Sequence, residues 1–194
     1  MTPRRRADTA ERILDSAERL VQERGYNGFS YADVAAEFGV TKASLHYHFP
    51  GKAELGEALL VRYTERFECA LEAIDASTGD PAAKLAAYAD LYGDVVRGRR
   101  MCLCGMLAAE VGTLPEPIRR AVVVFFDASE AWLERVLDEG RVDATLEFSG
   151  TARETARMLV GALEGAMLVA RPYDDVERFD ESANRLLAGL RAAS

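Results

Sequence analysis

Between Phe29 and Leu55 the chain is cut so closely by capping and breaking residues that only two short helices fit. Ser30 with Asp33 three residues on reads as a capping box, and Val34, Ala35 and Phe38 recur at helical spacing to give the first helix one apolar side. Gly39 breaks that run. Thr41 is a good N-cap for a second helix from Lys42 to about Phe49, where Pro50-Gly51 stops it. At about 100° per residue, Leu45 and Phe49 fall on one inward side roughly 40° apart and anchor the second helix. Ala43 and Tyr47 then point outward, flanked by Ser44 and His46. Lys42 and His48 sit at the margins, where phosphates would lie if the helix entered a major groove. The pattern predicts a helix-turn-helix with a DNA-reading face.

The same stretch, SYADVAAEFGVTKASLHYHFPGKAEL, resembles the DNA-binding signature of the TetR (tetracycline-repressor-like) family of bacterial transcriptional regulators, over about fifty N-terminal residues. The resemblance implies that Ser44 and Tyr47 contact bases or backbone and that His48 and Lys52 contact phosphates. Ser30, Thr41, Lys42 and Ala43 complete the expected DNA-facing set. His46 departs from the pattern, since most relatives carry a Tyr there. Either an imidazole makes the phosphate contact, or that position reads something different.

A net charge of −8 is unexpected for a DNA binder, so its distribution matters more than its total. Residues 1–53 hold eight Lys/Arg against seven Asp/Glu, while residues 54–194 hold 16 against 25. The acid belongs to the C-terminal body, and the head should bind DNA through a few placed contacts instead of wholesale charge attraction. At 194 residues, 49% hydrophobic and 29% charged, the chain suits a soluble protein of one or two domains. No apolar run approaches the roughly 20 residues of a membrane span, and MTPRRR leads into a charged amphipathic segment instead of a signal-peptide core, so a cytoplasmic location is expected. Cys69, Cys102 and Cys104 make an odd count that argues against a disulfide framework. Neither His46 with His48 nor Cys102 with Cys104 is spaced to converge on a metal if helical, and no cofactor is expected.

The remaining pattern is helical throughout and predicts an all-α fold of about nine helices, with a DNA-binding domain at 1–53 and an effector-binding and dimerisation domain at 54–194. Asp8 with Glu11 reads as a capping box for a first helix carrying Ile13, Ala17, Leu20 and Val21 and ending at Gly25. Arg4, Arg5 and Arg6 before it read either as an arm for a minor groove or phosphates, or as a solvated tail. A fourth helix, N-capped by Gly51, runs from Lys52 through Leu59, Tyr63, Phe67 and Leu71 to about Ala76. Asp80 and Pro81 open a fifth, with Leu85, Tyr88, Leu91, Tyr92 and Val95, closed by Arg97–Arg100. A sixth spans Cys102 to Gly112, and a seventh Pro117 to about Gly140 on Ile118, Val122, Phe125, Trp132, Leu133 and Val136. The link RVDATLEFSG holds a turn or a short extended piece at Ala144–Phe148. Thr151 to Ala170 forms an eighth helix, and Val176 to Arg191 a ninth capped by Asp174 or Asp175.

The eighth helix is apolar on more than one side, through Ala156, Leu159, Val160, Leu163, Ala166 and Met167 with Gly161 and Gly165 between, as expected of a helix facing both its own core and a partner. The family resemblance implies a homodimer through the last two helices, double-stranded operator DNA as partner, and a small-molecule effector held in the body. Candidate effector contacts are Tyr63, Phe67, Tyr88, Tyr92, Met106, Phe125 and Met167, which combine aromatic area with polar handles. Cys102 and Cys104 join them: both follow Arg97, Arg99 and Arg100 at the start of a predicted helix, which favours a thiolate if the sulfur is accessible. MCLCGMLAAE also resembles a motif of TetR-type repressors that sense electrophiles, with Cys102 at the sensing position. The other reading is a buried structural cysteine. Catalysis would rest on Ser44 and His48, four apart on a helix, but no carboxylate nearby in sequence orients the imidazole and no phosphate loop occurs. A protein-only helical adaptor would leave His46–Phe49 exposed without explanation.

Overall fold

The structure is a computed structural model that describes residues 3–39 and 41–192, with the side chains of residues 3–7 and 38 outside the description. Its described elements are α1 (Pro3–Arg24), α2 (Tyr31–Phe38), α3 (Lys42–His48), α4 (Lys52–Ser77), α5 (Pro81–Arg97), α6 (Leu103–Ala109), α7 (Glu116–Val142), α8 (Ala152–Ala170) and α9 (Val176–Ala188). Single 3-10 turns follow α6 at Val111–Thr113 and α8 at Arg171–Tyr173. The expected all-α class holds: among the described residues the only β pairing is an isolated antiparallel bridge, Leu146 to Arg191. The link after α7 thus contains the extended piece, sealed by Glu147 N–H to the Leu190 carbonyl at 2.9 Å. No helix among the described residues is long and apolar enough to cross a membrane.

Two compact units divide the chain. The first takes residues up to 65 together with 103–123, so it extends past residue 53 along α4 and includes α6. Its core is Ile13, Ala17, Leu20 and Val21 of α1, Val34 of α2, Leu45 of α3, Leu55, Leu59 and Leu60 of α4, Leu107 of α6 and Ile118. Helix α4 crosses this core closely at Gly56, where a Cβ would stand 2.5 Å from Ile118 Cδ1. Arg62 of α4, itself buried, clamps α1: its guanidinium donates to Glu11, Asp15 and Glu18, the last two at 2.8 and 2.7 Å. The second unit, residues 66–102 and 124 onward, is built on α5, α8 and α9 with most of α7. Leu85, Leu133, Val136, Leu137, Leu159, Leu163, Met167 and Phe179 are among its buried apolar residues.

Helix α1 begins at Pro3, six residues before the Thr9 start that an Asp8 N-cap would give. Pro3 suits a first helical turn, and the Arg and Ala that follow are strong helix formers, so Asp8 lies inside the helix and caps nothing. The backbone of Arg4, Arg5 and Arg6 is therefore helical and not an extended arm; their side chains fall outside the described residues, as does that of Phe38. Helix α6 also differs. It starts after Cys102 and stops at Ala109, because Glu110 leaves the α-helical register and the chain tightens into the 3-10 turn around Gly112.

Candidate nucleic-acid interface

Local chemistry fixes α2 and α3 as the spacing of their caps requires. Ser30 Oγ accepts from Asp33 N–H while the Asp33 carboxylate accepts from Ser30 N–H at 2.7 Å. The Ser30 backbone and hydroxyl hold Asp33 below its ordinary carboxylate range, with the hydroxyl the larger influence. Gly39 closes α2 with φ 69°, a left-handed conformation that costs glycine nothing. Thr41 Oγ1 then accepts from Ser44 N–H at 3.2 Å to start α3. Leu45 is fully buried, whereas Tyr47 is 60% exposed. Lys42, Ala43 and His46 are also exposed, and Ser44, His48 and Phe49 are half-buried. The side opposite Leu45 is thus open along α3.

The helix pair is braced by groups that were not legible as a site. Tyr31 of α2 donates its hydroxyl to the carbonyls flanking Pro50, at 2.5 Å to Gly51 and 2.9 Å to Phe49. Burial, reinforced by Glu54 and Tyr26, pushes its pKa up to about 12, so it stays a donor. Glu110, just past α6, accepts from the backbone N–H of Tyr26 at 2.5 Å and of Asn27 at 3.3 Å, and Asn27 Nδ2 donates to Thr113 Oγ1. A carboxylate thus holds the turn between α1 and α2, and Arg19 ties α1 to Glu37 of α2. The Lys52 side chain, expected to reach a phosphate, packs inward. Its ammonium turns inward, 2.5 Å from the Phe29 carbonyl and 4.5 and 4.3 Å from the Tyr26 and Phe29 ring centroids. The reason is packing: the aromatic corner offers the stem apolar cover and the charge a π face. Burial pulls its pKa below the ordinary lysine value, Glu110 and Asp33 opposing.

Of the expected effector contacts, Tyr63, Cys104 and Met106 fall in the first unit, and Phe67, Tyr88, Tyr92, Cys102, Phe125 and Met167 in the second. In the second unit Phe67 lies against Tyr88 and Phe125, and Tyr88 stacks on Trp132 with centroids 5.6 Å apart. The Tyr88 hydroxyl is 3.1 Å from that of Tyr92 and 2.5 Å from Ser129 Oγ. Burial raises the pKa of both tyrosines. Burial likewise raises Glu164, against an opposing hydrogen bond with the Cys102 thiol. Glu164, Ser129 and Trp132 were missed; Glu164 had a signal, as the one charge between Met158 and Ala170. Cys102 and Cys104 are both buried, so the access that thiolate chemistry needs is not met here; Cys69 is exposed.

Comparison with known proteins agrees with this geometry. Residues 13–59 match the family model described as bacterial regulatory proteins, tetR family, and residues 81–186 match that of the tetracyclin repressor-like C-terminal domain. The HTH-type transcriptional repressor NemR of Escherichia coli (strain K12) is 28% identical over 180 residues, 88% of this chain and 89% of that protein. The uncharacterized HTH-type regulator YxaF of Bacillus subtilis (strain 168) is 31% identical, covering 84% of this chain and 82% of its own. A solved TetR-family regulator from Agrobacterium tumefaciens superposes with a TM-score of 0.93 at 32% identity, over 96% of this chain and all of its own. The reduced form of E. coli NemR superposes at 0.83, with 26% identity, over 95% of this chain and 98% of its own.

Proposed function

Since the chain belongs to the TetR family of bacterial regulatory proteins and is a DNA-binding transcriptional regulator, we propose that it represses as a homodimer whose two α3 helices enter successive major grooves of an operator. Regulators of this family bind operator DNA and small-molecule effectors and work as dimers. The observation that carries the docking is the open side of α3, with Tyr47 at its centre and Lys42, Ala43, Ser44, His46 and His48 around it. Ser30 and Thr41 act there by capping the two helices. The expected outcome is that Tyr47→Ala weakens operator binding at least about tenfold while the dimer and its thermal unfolding are unchanged. Unaltered binding isotherms at physiological salt would sink this docking.

The dimer is assigned to α8 and α9. Support comes from Met158, Leu168 and Val169, exposed on α8, and from Gly161 and Gly165, whose missing Cβ atoms would meet nothing within 4 Å. The effector is assigned to the cluster of Phe67, Tyr88, Tyr92 and Phe125, where apolar area meets the hydroxyls and Glu164. It releases DNA only by binding the operator-incompetent dimer more tightly than the competent one. A second reading, release by a thiol-reactive compound at Cys102, rests on the resemblance of MCLCGMLAAE to electrophile-sensing repressors and requires that this buried thiol, hydrogen-bonded to Glu164, become accessible. Cys102→Ser would then abolish release by such reagents and leave operator binding intact.

A further inference from the structure

The imidazole of His46 is exposed, yet its orientation is set by two contacts. Its Nδ1 lies 2.9 Å from the Pro50 carbonyl oxygen, and its ring lies against Tyr31 with centroids 4.9 Å apart. Tyr31 is itself pinned by its hydroxyl to the carbonyls of Phe49 and Gly51, so the ring beneath His46 is not free to turn away. A carbonyl oxygen can only accept, so the proton of the imidazole belongs on Nδ1. In a neutral imidazole Nε2 is then a bare lone pair.

That lone pair is unlike anything else exposed on α3. Lys42 can only donate, Tyr47 can do either, and the helix carries no Asp or Glu. A phosphate oxygen is an acceptor and repels a second acceptor. In the major groove the complementary groups are the N4 amine of cytosine and the N6 amine of adenine, while guanine and thymine present acceptors. Resting on the helix-turn-helix reading above, we infer that His46 is a specificity-determining residue whose Nε2, oriented by the Pro50 carbonyl and the Tyr31 ring, accepts a hydrogen bond from the exocyclic amine of an adenine or cytosine. Each base pair offers one such amine, on one strand, so His46 separates A or C from G or T on the strand it faces. It makes no phosphate contact.

The test begins with selection of genomic fragments by the wild-type dimer and by His46→Phe, followed by binding isotherms across a salt series. One position in each half-site should be restricted to A or C for the wild type and relaxed for the variant. Affinity should fall about three- to tenfold per half-site, the worth of one neutral hydrogen bond at each, with the slope of log affinity against log salt unchanged. A second measurement uses the wild-type protein alone, so it does not depend on how the variant folds. Replacing the selected adenine by purine, or cytosine by 2-pyrimidinone, removes only the amine and should cost the wild type the same factor. Full affinity for the des-amino operator overturns the inference, as does a variant with unchanged base preference. A slope reduced by about 0.9 per half-site, about 1.8 for the dimer, with preferences intact also overturns it, because His46 would then meet a phosphate as an imidazolium. A wild-type dimer that selects no sequence overturns the regulator reading and this one together.

Discussion

Lys52 carries its charge on a stem long enough to reach a phosphate, and the stem is bent the other way. With its ammonium on the Phe29 carbonyl and above two rings, the side chain joins the start of α4 to the segment before α2. Lys52→Met keeps the stem and removes the donor. We expect it to cost about 1–2 kcal/mol in urea unfolding, one charged hydrogen bond discounted for partial exposure. The salt slope of operator binding should stay the same; a slope lower by about 0.9 per half-site, about 1.8 for the dimer, would return Lys52 to the phosphates. Neither this contact nor Glu110 could be read from the sequence. Spacing along one helix says which residues share a side, but Glu110 meets Tyr26 from 84 residues away, and nothing local to either announces it. His46 departs from the family pattern in the sequence, and only its contact with Pro50 says which nitrogen faces outward.

Helices α4, α5 and α7 meet in the second unit around a charge that burial alone would not tolerate. Lys84 of α5 is 7% exposed, and its ammonium lies 3.1 Å from Asp75 of α4 and 3.0 Å from Glu139 of α7. Arg135 bonds both carboxylates, and Trp132 Nε1 donates to Asp75 at 3.0 Å. Burial raises the Asp75 pKa, but Arg135, Trp132 and Lys84 outweigh it and hold it below the ordinary range. Lys84 does the same to Glu139, with less opposition from burial. Carboxylates with lowered folded-state pKa values contribute stability that is complete above their unfolded values and is lost as pH falls through the folded ones. Lys84→Met should therefore cost about 2 kcal/mol at pH 7, where two carboxylates lose a partner. The difference should shrink or reverse near pH 3, where the protonated acids leave the wild-type ammonium buried alone. Equal m-values with a pH-independent difference in urea midpoint would contradict this. Helices α5, α8 and α9 of the same unit were legible because each is punctuated: Asp80-Pro81, Thr151 and Asp175 all cap as their side chains allow. The start of α1 was not, since propensity carried the helix through a capping pattern that offered no break.

A single α3 on a head of nearly balanced charge has few ways to hold DNA, so affinity at the scale of the molecule depends on two heads acting at once. The face proposed to join them is on α8, where Met158, Gly161, Gly165 and Leu168 recur at three, four and three residues and lie on one side of the helix. Met158 is 49% and Leu168 61% exposed, against an opposite side made of Leu159, Leu163 and Met167, all buried. The sequence already showed α8 as apolar on more than one side; the structure separates the side its own core uses from the side left over. Glycines at 161 and 165 let a partner backbone approach where a side chain would hold it off. A charge placed there, Leu168→Asp, replaces a side chain that is largely exposed in its own protomer and should leave the stability of the protomer fold little changed. It should shift sedimentation to the monomer and lower operator affinity by about 10²- to 10⁴-fold, because the second half-site is no longer bound from an effective concentration set by the first. Binding to an isolated half-site should change little. A variant that still sediments as a dimer places the interface elsewhere; one that is monomeric yet binds the full operator undiminished removes the need for two heads.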